Sequence, residues 1–145
     1  MGWTEQEMEP LPQTPQKASN GQVTFWVPGK PVGQGRISTI NGHSFHSNAK
    51  ELKPWREKVA WCARSAHVPL LDGPVQVEYR FVFLRPKSVK RNLPCVKPDL
   101  DHLERALGDA LSGVAFVDDA LICKNTSTKV YGEAEGVEII VGALL

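Results

Sequence analysis

Two pairs of acidic residues flank one short segment with a helical pattern. Asp99 and Asp101 open the segment 99–111, "DLDHLERALGDAL", and the adjacent Asp118 and Asp119 follow soon after it ends. Carboxylate oxygens are the ligands that hard cations such as Mg²⁺ prefer. The pattern therefore indicates a candidate magnesium site, with the segment as the element that positions the first pair.

The first pair also has a purely structural explanation. Asp99 is in the position of a helix N-cap, and Asp101 and Arg105 are spaced i, i+4 for an ion pair. The second pair weakens that explanation, because Asp118 and Asp119 interrupt the apolar, strand-like run "VAFVDDALI". Buried carboxylates are costly unless they are paired or bind metal. A metal site accounts for both pairs.

The segment leading to the first acidic pair is strongly basic. Between positions 80 and 97 it contains no acid and six cations: Arg80, Arg85, Lys87, Lys90, Arg91 and Lys97. Cations of this kind bind phosphates. A basic loop that ends at clustered carboxylates is typical of a nuclease, and we predict DNA contacts from Lys87, Lys90, Arg91 and Lys97. Arg36, in a Gly-flanked loop, is either a further DNA contact or a solvated charge.

The helix itself has a clear apolar face, formed by Leu100, Leu103, Ala106, Leu107, Ala110 and Leu111. Asp101, Arg105 and Gly108 fall together on the opposite face. The missing side chain of Gly108 lets a bulky group approach the backbone there. Gly113 is in the usual position for a residue that ends a helix.

The rest of the chain predicts a single α+β domain with a mixed or antiparallel sheet and two main helices. Residues 1–20, rich in proline and polar residues, are expected to be a disordered lead-in, and 21–145 the folded domain. The other predicted elements are a strand in "GQVTFWVPG", a hairpin turn at Asn41-Gly42, a helix from Pro54, a strand over Val75–Phe83, and strands in "ALICKNTSTKVY" and "GVEIIVGAL".

Composition excludes several classes of protein. The chain has no run of 18 apolar residues and no signal-peptide pattern at its start, so we expect no membrane span. Its three cysteines are odd in number and far apart, which argues against a disulfide framework or a zinc site and suits a reducing, cytoplasmic environment.

The central motif resembles the signature of the RusA family of Holliday junction resolvases. In "KPDLDHLERALGDALSGVAFVDD" the family's elements are the Asp-x-Asp at a helix start, a cation one turn later, the end of the helix and an Asp-Asp pair. The stretches "VPGKPVGQGR", "KPWREKV", "STKVYG" and "GVEIIV" also resemble family patterns, so the likeness spans about residues 22 to 142.

This resemblance implies a homodimeric endonuclease that cuts four-way DNA junctions in recombination and repair, with Mg²⁺ as cofactor and Mn²⁺ as a substitute. It places the catalytic, metal-binding acids at Asp99, Asp101 and Asp119, and the family's catalytic lysine at Arg105. Lys129 matches a lysine often seen in the family and is expected to contact DNA. A short chain of this family suits a phage or prophage gene in a bacterial cell.

Three further polar residues are open to more than one interpretation. His102 stands where the family more often has Asn, and either contacts DNA, lies near the metal or is simply solvated. Asp109 is about 12 Å along the helix from Asp101, too far to share a metal, and is expected to be structural, with Arg105 as its partner. Asp118 is either an outer ligand of the metal or a turn residue.

Two other functions fit parts of the sequence. Asp-x-Asp also holds a metal in sugar-nucleotide transferases, but those chains are usually much longer. A non-catalytic junction-binding module derived from a nuclease is the main alternative, although a pure DNA binder gains nothing from carboxylates that repel phosphate. Paired cuts from a chain with one site predict a two-fold symmetric homodimer. Its interface is expected in "GVEIIVGAL" or in the loop after Phe83.

Overall fold

One five-stranded sheet and two helices form the body of the domain in a computed structural model, which describes residues 15–17 and 21–144. The strands are β1 (Gln16–Lys17), β2 (Val23–Pro28), β3 (Ile37–Ile40), β4 (His43–His46), β5 (Val75–Phe83), β6 (Ile122–Tyr131) and β7 (Gly136–Ala143). The helices are α1 (Ala49–Ser65), α2 (Leu100–Leu111) and a short 3₁₀ helix, Asp119–Leu121. The α+β class predicted from the sequence is confirmed.

The main sheet is mixed. Its strand order is β1-β2-β7-β5-β6, and β5 and β6 are parallel while the other neighbours are antiparallel. Parallel neighbours need a crossover connection, and α2 lies within the connection from β5 to β6. The basic loop, residues 84–98, therefore leaves the carboxyl end of β5 and delivers the chain to the start of α2.

Alternating side chains bury one face of the sheet under the helices. Along β5 the core-facing residues are Val75, Val77, Tyr79, Phe81 and Phe83. From α2 the core receives Leu103, Ala106, Leu107 and Leu111, all fully buried. Burial of this apolar face leaves the opposite face of α2 free to carry polar residues.

The hairpin and most boundaries agree with the sequence predictions. β3 and β4 pair across Asn41 and Gly42, which have φ angles of 53° and 80°, as a two-residue turn of this type requires. Gly113 has a φ angle of 81° and directly follows Ser112, the C-cap residue of α2. Within the described residues, no helix has the length and apolar character needed to cross a bilayer.

Two local predictions were wrong. The first long helix begins at Ala49 rather than at Pro54, which lies inside it. The acidic pair Asp118-Asp119 does not interrupt a strand: both residues are exposed at the start of the 3₁₀ helix. The lead-in predicted for residues 1–20 lies outside the described residues except at 15–17, where Gln16 and Lys17 pair with β2.

Candidate metal centre

Asp99 occupies the N-cap position of α2 but does not cap it. Its backbone is extended, with φ −69° and ψ 142°, and its carbonyl accepts a hydrogen bond from Leu103 N at 3.1 Å. Its side chain makes no capping hydrogen bond. An N-cap aspartate normally satisfies a helix N–H with its carboxylate. The Asp99 carboxylate makes no such bond, so helix capping does not account for this residue.

Asp99, Asp101 and His102 form a compact group of potential metal ligands. One ligand atom from each lies within 4.8 Å of the others. The Oδ2 of Asp99 is 3.9 Å from His102 Nδ1, and the Oδ2 of Asp101 is 3.9 Å from His102 Nε2. Two exposed carboxylates and a half-buried imidazole fit a divalent cation, whose oxygen ligands the carboxylates supply. His102 thus lies between the acids.

The loop 33–35 holds the backbone of His102. Gln34 N donates a hydrogen bond to the His102 carbonyl at 2.9 Å. A β-carbon on Gly33 would lie 3.1 Å from His102 Cβ, a tight contact that shows how closely the loop approaches this residue. The loop that precedes Arg36 therefore packs against the first turn of α2.

Lys129 fastens the segment that leads into α2. From β6 its ammonium donates to the carbonyl of Val96 at 2.7 Å and to that of Pro98 at 2.9 Å. Pro98 immediately precedes Asp99, so these bonds fix the point at which the first acid enters the site. The sequence predicted a DNA contact for Lys129 and gave no sign of this role.

Asp119 stands beside the middle of α2, outside the group formed by Asp99, Asp101 and His102. A β-carbon on Gly108 would be 3.7 Å from Asp119 Cβ and 3.8 Å from its Oδ2. Ser112 joins the two: its hydroxyl donates to the Gly108 carbonyl at 2.9 Å and accepts from Asp119 N at 3.1 Å. The group that approaches the bare helix face is therefore Asp119.

Asp118 and Asp119 influence each other's ionisation. The pKa of Asp118 is lowered, mainly because Ala120 N donates to its carboxylate at 3.3 Å. The pKa of Asp119 is raised, first by its side-chain hydrogen bond with Asp118, then by burial and by the negative charges of Asp118 and Asp109. Neighbouring carboxyls commonly titrate as a pair in this way. Asp118 is the N-cap residue of the 3₁₀ helix.

Arg105 and Asp109 do not have the ion-pair partners that their spacing along the helix suggested. The ion pairs of the described residues do not include one between Asp101 and Arg105, and Arg105 is exposed. Asp109 instead binds Arg56 of α1 at 3.0 Å. Asp109 is thus structural, as expected, but it ties α2 to α1 and does not hold Arg105.

Sequence reasoning missed two residues close to the acids: Tyr79, which lies near Asp119, and Glu104, which lies near Tyr79. The Tyr79 hydroxyl is buried and has no hydrogen-bond partner among the described residues. Its pKa is raised by burial and then by the negative charges of Glu104 and Asp119. Glu104 also accepts a hydrogen bond from Asn125 Nδ2 of β6 at 3.4 Å. Glu104 is one turn after Asp101, a spacing that could have suggested it; Tyr79 has the pattern of an ordinary core residue.

The predicted DNA-contacting cations are spread over the surface. Lys87, Lys90, Arg91 and Lys97 are exposed on the basic loop, and Arg36 is exposed before β3. Arg91 Nε also donates to Tyr131 OH at 3.1 Å. Arg80, the first cation of the basic run, forms an ion pair with Glu138 of β7. The loop cations stand on the side of the domain from which the chain enters α2.

Comparison with known proteins adds independent findings. The family model described as endodeoxyribonuclease RusA matches residues 28–142, which include both helices and β5, β6 and all but the last residue of β7. The chain is also similar to the uncharacterized protein YqaN of Bacillus subtilis (strain 168). The two are 30% identical over 135 residues, which cover 82% of this chain and 94% of that protein.

Proposed function

Because this chain belongs to the RusA family of endodeoxyribonucleases, we propose that it resolves four-way DNA junctions by metal-dependent hydrolysis of phosphodiester bonds. Family membership gives the coarser assignment, a DNA-cleaving hydrolase. The observation that carries the finer one is the uncapped carboxylate of Asp99, grouped with Asp101 and His102 at the start of α2. Among the residues that the structure describes, no capping hydrogen bond accounts for the Asp99 carboxylate.

In this proposal Asp99, Asp101 and Asp119 hold one or two Mg²⁺ ions, with Mn²⁺ as a substitute. Bound there, the metal would activate water and polarise the scissile phosphate. The oxygen donors of the acids and their exposure support this assignment. Because Asp119 lies outside the compact group, its separate position favours the form of the proposal with a second ion.

The chain's own cations would bind and orient the DNA. Arg105 lies on the polar face of α2 between Asp101 and Gly108, and its exposed guanidinium would neutralise charge on the phosphoryl group. Arg36, Lys87, Lys90, Arg91 and Lys97 would hold neighbouring phosphates. Lys129 already donates to two carbonyls, so its main contribution would be to hold the segment that leads into α2. Contact with DNA would be its secondary role.

Paired cuts require two sites, and we assign them to a two-fold symmetric homodimer. Of the two interface surfaces that the sequence suggested, β7 lies between β2 and β5, so both of its edges are already paired. The loop after Phe83 lies outside the sheet and carries the exposed apolar residue Leu93, so it is the better candidate. In this arrangement each protomer presents one set of carboxylates to one strand of the junction.

The test is resolution of a synthetic four-way junction with and without Mg²⁺. The protein should have a solution mass near 32 kDa, twice the 16.0 kDa of the chain, and should nick opposing strands symmetrically. Mixing wild type with Asp101→Asn should give heterodimers that nick one strand only. A monomer that still resolves junctions would contradict the dimer, and junction binding without cleavage at any metal concentration would favour a non-catalytic binding module.

A further inference from the structure

A small cavity opens between the basic loop and the carboxyl end of β6. Its volume is about 180 Å³, below the range of about 300–1,000 Å³ typical of sites for whole drug-sized ligands. Phe83, Leu84, Val96 and Tyr131 contribute apolar walls. The size suits one flat ring system, and not a larger molecule.

The rim of this cavity is cationic. Lys30, Arg91 and Lys97 line it, against a single acid, Glu135. The ammonium groups of Lys30 and Lys97 make no hydrogen bond or ion pair with the described residues, and Arg91 uses only its Nε, on Tyr131. By contrast, Arg56 and Arg80 elsewhere are paired with carboxylates. Three cations with free donors beside an apolar pocket suit a ligand that is both aromatic and anionic.

Two large apolar side chains at the cavity are left partly in water. Leu84 is 50% exposed and Val96 is 48% exposed. Apolar side chains grouped with a polar rim commonly mark a binding site. Pro98 also lines the cavity, and Asp99, the first residue of the candidate metal centre, follows it directly. A ligand in the cavity would therefore lie next to the carboxylates.

We propose that this cavity receives one unstacked nucleobase of the DNA substrate, while Lys30, Arg91 and Lys97 hold its flanking phosphates. The assignment rests on the junction-resolving function proposed above. A base inside a duplex is stacked on both faces and cannot enter, whereas a base at a branch point or one turned out of the helix can. Apolar contact with the base and cationic contact with the backbone are the usual means of binding single-stranded nucleic acid. The captured base would set which phosphate lies beside Asp99.

The experiment measures binding of synthetic four-way junctions without divalent metal, so that nothing is cut. One base at a time is removed from the nucleotides around the branch, leaving an abasic site. Wild type is compared with Leu84→Gln, and with Leu70→Gln as the matched control, since Leu70 is 55% exposed and lies outside the cavity. Size-exclusion chromatography with light scattering records the oligomeric state of each variant.

We expect removal of one particular base to weaken wild-type binding about 5- to 160-fold, the range for loss of one stacked base. Leu84→Gln should weaken binding to the intact junction by a similar factor and lose its sensitivity to that base, because the two changes remove the same contact. Leu70→Gln should behave as wild type.

Three results would overturn the assignment. If wild type binds junctions but neither abasic sites nor Leu84→Gln alters the affinity, the cavity takes no base and the junction-resolving function still stands. If Leu84→Gln changes the oligomeric state, the cavity belongs to an interface with a second copy of the chain. If wild type does not bind junctions at all, the proposed function fails and the base pocket fails with it.

Discussion

Asp119 lies against Gly108, and the hydroxyl of Ser112 bonds to both residues. A methyl group on Gly108 would be 3.7 Å from Asp119 Cβ, an ordinary van der Waals contact. Gly108→Ala should therefore keep Asp119 in place. It should also raise the free energy of unfolding by up to about 1 kcal/mol, because alanine is the better helix former. Chemical denaturation measures the change.

The contrasting variant is Gly108→Leu. Its larger side chain must displace Asp119, so junction cleavage should fall at least tenfold while junction binding persists. Equal cleavage by Gly108→Leu and Gly108→Ala would show that the position of Asp119 beside α2 does not matter for activity.

The bonds from Lys129 to the carbonyls of Val96 and Pro98 lead to a second prediction. Lys129→Ala should reduce cleavage more than it reduces junction binding, because the segment that leads into α2 loses its hydrogen bonds to the lysine. The slope of log affinity against log salt should change by less than the roughly 0.9 expected when one bound phosphate is released. The exposed Lys90, changed to Ala, is the control that should show the larger slope change. If Lys129→Ala and Lys90→Ala change the slope equally, the main role of Lys129 is to contact DNA.

The shared hydrogen bond between Asp118 and Asp119 predicts a pH effect. The raised pKa of Asp119 means that this carboxyl takes up its proton at a higher pH than an ordinary aspartate. Metal ligands must be deprotonated, so metal affinity should fall as pH drops through that raised pKa. Asp118→Asn removes the neighbouring charge but keeps an oxygen for Ala120 N, and should lower the pKa of Asp119. Carboxyl-carbon NMR titration of the metal-free protein measures both values.

The two shifted pKa values change the free energy of unfolding in opposite directions as pH varies. The lowered pKa of Asp118 stabilises the fold above the ordinary aspartate pKa, and that contribution is lost as pH falls through the folded value. The raised pKa of Asp119 destabilises the fold when this carboxyl is ionised, so that cost is absent at low pH and appears as pH rises toward the raised pKa. A pKa of Asp119 that stays raised in Asp118→Asn would contradict the hydrogen bond as its main cause.

The exposed cations of the basic loop give a prediction about salt. Changing Lys87, Lys90 and Arg91 to Ala should weaken binding to all forms of DNA. It should reduce the log–log salt slope by about 0.9 for each phosphate that the loop no longer binds. The matched control removes three exposed cations of α1: Lys50, Lys53 and Arg64. If the slope falls as much in the α1 variant as in the loop variant, DNA does not lie preferentially along the loop.

Much of the fold follows from local patterns. The alternation over Val75–Phe83 predicted β5 with its exact bounds, and the leucine pattern with Gly113 predicted α2 to within one residue at each end. These elements are long, periodic and bounded by strong turn residues, so the local signal and the tertiary structure agree. The same reasoning gave a wrong prediction for the acidic pair 118–119, because two charges in a short apolar run fit a turn as well as a strand.

The relations between elements could not be derived in this way. Sequence placed Asp99 and Asp101 together because one helix carries them both, but it could not show that Asp99 leaves its helix uncapped. Arg56 was invisible as the partner of Asp109, since 53 residues separate them and only the packing of α1 on α2 joins them. Lys129 likewise reaches Pro98 only because β6 pairs in parallel with β5.

The most direct test of the metal-dependent nuclease compares cleavage with binding of one four-way junction by wild type, Asp101→Asn and Asp72→Asn. Asp72 is exposed and lies outside the acidic group. Wild type and Asp72→Asn should cut when Mg²⁺ is added and not without it. Asp101→Asn should bind as tightly or more tightly, because it removes a negative charge near phosphate, yet should not cut. Cleavage by Asp101→Asn at the wild-type rate would contradict the account.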